Sequence, residues 1–341
     1  MTPLPSNLYP SALFEDRKPV PNLMIRLNAP EQEPSAFDPT VCKTEFEKNL
    51  VYLPSCFLLF FANNIDRFHI RNITLFGTNP FAYPALESAL ALFAAKPVHV
   101  GMCLFPNQLP DKNPQYLDKM NTLFYRLGPF SGENEISKTF RSLPEEITLL
   151  RSLNPSLEIR AILYVSDFCL KNLDRVIHLV ENAGFDHLDF FSPNLYINLL
   201  NQNEKDLCVQ NLVPSKEEIK SLEKDFWNIL EQRWFETHLF DLNLCRRQME
   251  RVIQFFGAIR GLGEFAPPFC RASRVSFFIE PTGEVRTCPY QKIVGNLRSH
   301  SLVQISESEE LKLFQANLNL AKSPICPSCP GAYPHLLWKT R

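Results

Sequence analysis

Asn72-Ile-Thr-Leu-Phe-Gly-Thr-Asn-Pro80 reads as a short apolar strand that stops in a turn, and the chain on either side repeats the pattern. Ile, Leu, Phe and Thr favour extended backbone, while Gly77 and Pro80 punctuate it. A helical pattern over about 83–95 follows, then the strand Val98-His-Val-Gly-Met-Cys103. Strand, helix and strand without a tight hairpin turn mark parallel pairing, with helices covering the sheet. Upstream, Leu23-Met-Ile-Arg-Leu27 predicts a first strand, followed by a loop over 29–40 and an amphipathic helix over roughly 43–62. Downstream, strands are expected at 122–127, 157–165 and 186–191, with helices at 137–152 and 172–183 and a helix stop at Gly184. Six β/α units without an internal repeat predict an α/β chain, a partial (β/α)6 TIM-like barrel.

The pattern changes after the sixth strand. Residues 192–213 are irregular, and 215–262 are mostly helical behind the capping box Ser215-Lys-Glu-Glu218. Past Pro267-Pro268, Val275–Ile279 and Glu284–Thr287 read as a hairpin around Pro281-Thr-Gly283. The expected domains are therefore an irregular lead-in (1–21), the barrel (22–213), a helical linker (214–266) and a small α+β cysteine-rich domain (267–341).

That last segment holds Cys270, Cys288 and the pair Cys326-Pro-Ser-Cys329. A hairpin brings the first two together, and Cys-x-x-Cys places two sulfurs on one turn. Four such thiolates suit either a tetrahedral zinc or an iron–sulfur cluster. Cys42, Cys56, Cys103, Cys169, Cys208 and Cys245 have no metal spacing and read as small core residues. The histidines are scattered, and no P-loop, Gly-x-Ser-x-Gly or His-Glu-x-x-His pattern occurs.

A formal net charge of −2, with no long Lys/Arg run, gives no reason to expect nucleic acid or an anionic membrane as partner. Residues 1–22 lack a signal-type apolar core, and the longest apolar run, 56–62, is far too short to span a bilayer. A cytoplasmic protein is expected, in which ten cysteines stay reduced and clustered ones bind metal rather than form disulfides.

Cys270, twelve residues, Gly283, four residues, Cys288, a gap, then Cys326-x-x-Cys329 resembles the auxiliary-cluster module of radical SAM enzymes, the SPASM or shorter twitch domain. Val294-Gly-Asn-Leu297 is similar to that module's turn before its linking helix. The resemblance implies one 4Fe-4S cluster on Cys270, Cys288, Cys326 and Cys329. His335 and Lys339 stand where further cysteines of a full SPASM pattern would fall, which favours the single-cluster twitch form. The six β/α units resemble the radical SAM core. That family's Cys-x3-Cys-x2-Cys triplet is nowhere in this chain, and the loop after the first strand, 28–42, holds only Cys42. Its Gly-Gly-Glu-Pro stretch corresponds to Gly77-Thr78-Asn79-Pro80, with Asn79 in place of the carboxylate. Gly77, Asn79 and Pro80 thus form a remnant of a SAM-binding motif, and S-adenosylmethionine is not expected as cofactor.

The resemblance implies a pseudoenzyme: a scaffold or electron-transfer partner of an active radical SAM enzyme, or a binder of a peptide or small-molecule substrate. Two rival readings stand beside it. One is an enzyme of changed mechanism working from the barrel mouth, near Asp167, Asp189 and Asn194, together with the cluster. The other is a zinc-stabilised binding module.

Overall fold

The computed structural model describes residues 22–30, 50–110, 115–193, 212–236 and most of 239–329. Six strands run parallel in sequence order: β1 (Asn22–Arg26), β4 (Asn72–Phe76), β5 (His99–Leu104), β6 (Thr122–Leu127), β7 (Glu158–Tyr164) and β8 (His187–Phe191). Between β1 and β4 the chain makes a small antiparallel pair, β2 (Asn28–Pro30) with β3 (Leu50–Tyr52). The helices α1 (Ser55–Phe68), α2 (Leu86–Ala94), α3 (Glu133–Leu153), α4 (Asp167–Lys171) and α5 (Leu173–Ala183) lie between successive parallel strands, except that β5 reaches β6 through the 3-10 turn Gln115–Lys119.

Period-two alternation sorts each strand into two faces. On β4, Ile73 and Leu75 join the large core under the helices, while Phe76 faces the other way into a second cluster. On β6, Leu123, Tyr125 and Leu127 pack outward and Phe124 inward. The inner cluster gathers Phe76, Cys103, Phe124, Ile162, Tyr164, Phe191 and Phe278, so the lumen is a packed core rather than a pore. Each fully buried phenylalanine there contributes about 1.5–3 kcal/mol of transfer free energy.

The helix expected over 43–62 starts later. Pro54 takes the cap position of α1 with an extended ψ of 130°, and Leu50–Tyr52 before it is strand. Proline is tolerated at a helix start but not inside, which sets that boundary. At the other end α1 runs to Phe68 and stops at His69 in the left-handed region, φ 52°. The helix expected over 83–95 is likewise a 3-10 turn at Pro80–Ala82 followed by α2 from Leu86. Gly184 ends α5 with φ 89°, as the sequence predicts.

Two long helices follow, α6 (Lys216–Glu236) and α7 (Leu242–Ile259). Ser215 and Glu218 exchange the two capping-box hydrogen bonds, at 2.8 and 3.3 Å. The α6–α7 region also covers the open side of β8. The Leu188 N–H donates to the Leu239 carbonyl at 2.8 Å, and the Phe190 N–H to Gln248 Oε1 at 2.9 Å. An edge strand would otherwise present those groups unpaired.

The C-terminal hairpin, β9 (Ser276–Ile279) and β10 (Glu284–Arg286), joins the same sheet. β9 pairs parallel with β1, Asn22 opposite Ser276 and Ile25 opposite Ile279, and a short β11 (Gly295–Asn296) pairs with β10. The nine strands therefore run β11-β10-β9-β1-β4-β5-β6-β7-β8. A one-turn helix α8 (Ala272–Val275) leads into β9, and α9 (Leu302–Glu307) and α10 (Glu309–Asn317) follow β11. No helix among the described residues is long and apolar enough to cross a membrane.

Candidate metal centre

The hairpin geometry follows from Gly283. Its φ of 87° lies where an L side chain is strained, and a Cβ there would press on Asn296 Oδ1 at 3.1 Å and the Phe57 ring at 3.3 Å. The turn closes through Gly283 N–H to the Glu280 carbonyl at 2.8 Å, and β10 then delivers Cys288 at its exit. The Gln291 N–H donates to the Cys288 carbonyl at 3.1 Å, and buried Arg286 donates from Nη1 to the Gln291 carbonyl at 2.7 Å. That clamp fixes the turn 288–291.

Cys270 sits just before α8, and its sulfur accepts the Ala272 N–H at 3.4 Å. Cys326–Ser328 is one 3-10 turn, and the Cys329 N–H donates to the Cys326 carbonyl at 3.3 Å. The pair therefore occupies a single turn, as its spacing predicts. Gln291 Nε2 reaches Cys326 Sγ at 3.4 Å, so the turn after Cys288 touches the pair directly. All four cysteines are outside disulfides and half-buried.

The thiols also feel one another electrostatically. Burial pushes the Cys270 thiol up and Cys326 adds to it, while the Ala272 N–H and Arg251 pull it back. Burial raises Cys288 well above the ordinary range, with Cys329, Cys270 and Cys326 adding to it against the Tyr290 N–H. Thiols of this kind stay protonated until a metal displaces the protons. Among the described residues, no three His, Cys, Asp or Glu side chains converge tightly enough to hold one metal ion. The donor chemistry nonetheless fits an iron–sulfur cluster: four cysteines outside disulfides and near one another, with N–H groups aimed at the sulfurs of Cys270, Cys288 and Cys326.

The barrel mouth has a different character. Cys42 lies outside the described residues. Gly77 follows β4, and a Cβ there would collide with Asn28 Oδ1. Asn28 is fully buried and clamps the turn, donating from Nδ2 to the Asn79 carbonyl at 2.5 Å and accepting the Asn79 N–H at 3.1 Å. Asn79 Oδ1 itself is buried without a hydrogen-bond partner among the described residues, and Pro80 opens the 3-10 turn. At the strand ends, Arg26 pairs with Glu280 at 3.4 Å, both buried. Arg126 lies over the Phe105 ring at 5.6 Å and bonds the Cys103 thiol.

Of the carboxylates expected at this end, Asp189 is enclosed in mid-strand, held by Arg160 at 2.7 Å and by Gln248 at 2.9 Å. Asp167 pairs with Lys171 at 2.7 Å in α4. Asn194 lies outside the described residues. Asn28, Arg126, Glu280 and Gln291 were not singled out by sequence. Arg26 was the available signal, a charge on the same alternation as Met24 in an otherwise apolar strand.

Residues 270–330 match the SPASM family, described as an iron-sulfur cluster-binding domain. The fold as a whole is similar to SuiB of Streptococcus suis bound to its precursor peptide SuiA. There the TM-score is 0.58 at 10% identity, covering 89% of this chain and 68% of that one. SuiB bound to S-adenosylmethionine gives 0.56 at 11%, covering 92% and 69%. The fold is similar to the radical SAM fold, and residues 270–330 match the SPASM domain. anSMEcpe with bound AdoMet is similar at TM-score 0.57 and 10% identity, over 89% of this chain and 83% of that one. No curated protein matches the sequence. The SPASM match begins at Cys270 and takes in all four cysteines of the quartet.

Proposed function

We propose that this chain is an accessory member of the radical SAM fold: it binds one 4Fe-4S cluster through Cys270, Cys288, Cys326 and Cys329 and does not itself cleave S-adenosylmethionine. It acts as scaffold or electron-transfer partner to an active radical SAM enzyme. The observation that carries the reading is a contrast within one sequence: a SPASM-matched cysteine quartet at 270–330, and no Cys-x3-Cys-x2-Cys triplet anywhere. One thiolate in the loop after β1, Cys42, is too few to hold a cubane.

Features of the barrel mouth support it. Asn79 stands where the resemblance places a carboxylate for the methionine amino group, and its backbone is engaged by Asn28. Phe76, Tyr164 and Phe191, each the last residue of its strand, close over the lumen together with Phe278. The barrel (22–213), helical linker (214–266) and cluster segment (267–341) are on this reading functional parts carried by one continuous sheet. SuiB binds a precursor peptide, and a peptide is the substrate class proposed for the enzyme this chain would assist.

The test is anaerobic reconstitution of the full chain with iron and sulfide, followed by reduction in the presence of S-adenosylmethionine. About four irons per chain and no 5′-deoxyadenosine are expected. Release of 5′-deoxyadenosine at catalytic levels overturns the accessory role, and a colourless protein holding one zinc overturns the cluster.

A further inference from the structure

The N–H donors to Cys270 and Cys288 come from the backbone of Ala272 and Tyr290, which substitution does not remove. The donor to Cys326 is different. It is the side chain of Gln291, Nε2 to Sγ at 3.4 Å. A metal-bound thiolate offers only lone pairs, so the amide must present its N–H and not its carbonyl. Its backbone is fixed on both sides, by its own N–H on the Cys288 carbonyl and by Arg286 on its carbonyl oxygen. The side chain therefore reaches Cys326 from a rigid base.

Gln291 also lines a cavity of about 500 Å³ together with Lys292, Phe314, Asn317, Lys322 and Ser323. Ser323 Oγ in turn accepts the Cys326 N–H at 3.3 Å. Two residues of one solvent-accessible cavity thus hold the same cysteine, one through its sulfur and one through its backbone.

The geometry points to Gln291 as a positioning residue that sets the reduction potential of the cluster by donating a hydrogen bond to the Cys326 thiolate. This rests on the proposed cluster. Reduction adds negative charge to the irons and their sulfurs, and an N–H aimed at a ligand sulfur stabilises that charge more than the oxidised state. Removing the donor leaves the reduced form less stabilised and moves the midpoint to more negative values.

The experiment is a redox titration of the full chain, reconstituted anaerobically and followed by visible absorption and electron paramagnetic resonance. Gln291→Met keeps the length and removes the donor. Gln291→Glu keeps the shape and brings a negative charge towards the thiolate. Both are expected to retain the iron content of the unmodified chain and to titrate at more negative potential, the glutamate variant further than the methionine. Should one variant fail to load iron, the other decides. Two iron-loaded variants titrating with the unmodified chain overturn the inference while leaving the cluster standing. An unmodified chain that binds no iron removes the cluster reading and this inference with it.

Discussion

The barrel mouth beside β1 and β4 and the cysteine quartet on either side of the β9–β10 hairpin are carried by one sheet, yet they solve opposite problems. The cysteine segment keeps its reactive atoms reachable: four half-buried cysteines outside disulfides, held by turns, with N–H donors on Cys270 and Cys326. The described part of the mouth turns its polar groups on one another, Asn79 Oδ1 excepted. Asn28 clamps the Gly77–Pro80 turn, Arg26 meets Glu280, and aromatic rings close over the strand ends. Backbone architecture and ligand chemistry are therefore separable within a single fold. On the proposed reading, the Gly77–Pro80 turn keeps its glycine and proline while Asn79 stands where the resemblance places a carboxylate.

Cysteine replacement tests that contrast most severely. Cys288→Ser is expected to take iron from about four atoms per chain to near zero in reconstituted protein, whereas Cys42→Ser leaves iron content unchanged. Equal loss in both variants, read by metal analysis, would erase the asymmetry.

A smaller effect is expected where the two regions meet. Glu280, on the loop end of β9, lies between Arg26 and Arg286; burial raises its pKa and the two guanidiniums lower it. Glu280→Ala takes a carboxylate from a buried ion pair and is expected to cost about 3 kcal/mol, measured by urea denaturation. An unchanged midpoint would mean that the mouth and the hairpin do not depend on each other there.

The smallest effect lies at the opposite end of the barrel. The His187 hydrogen bond, with Arg160 and Thr122, holds Glu158 down at about 2 against the burial that would raise it. A depressed carboxylate stabilises the fold above its unfolded value, and that contribution disappears as pH falls from about 4.5 towards 2. Because Glu158 is about a third exposed, solvent screening limits the contribution to about 1 kcal/mol. Glu158→Gln should flatten the acid limb of the stability curve by that amount and leave iron binding intact. A change in iron content would show that the floor and the cluster segment are coupled.

The six barrel strands and the cysteine quartet could be read from sequence because both are local signals, an alternation of apolar residues and a spacing of thiols. The start of α1 was misplaced although Pro54 was in view, because the apolar pattern continues through Leu50–Tyr52. Those residues pair instead with Asn28–Pro30, a partner that no local pattern names. Long-range partnerships escaped for the same reason. Neither β9 beside β1 nor Gln248 on Asp189 leaves a trace in any short window. Gln291 escaped too, since an amide in a turn carries no chemistry until a sulfur is placed against it.

The pairing of β1 with β9 also orders events in time. Arg26 and Glu280 are 254 residues apart, so the first strand emerges long before its neighbour exists. At ribosomal rates of about 5–20 residues per second, one flank of β1 waits roughly ten to fifty seconds during synthesis. An unpaired strand flank is a template for wrong partners, and the quartet is incomplete until Cys329 has been made. On the proposed reading, cluster loading waits for Cys329, long after β1 has emerged.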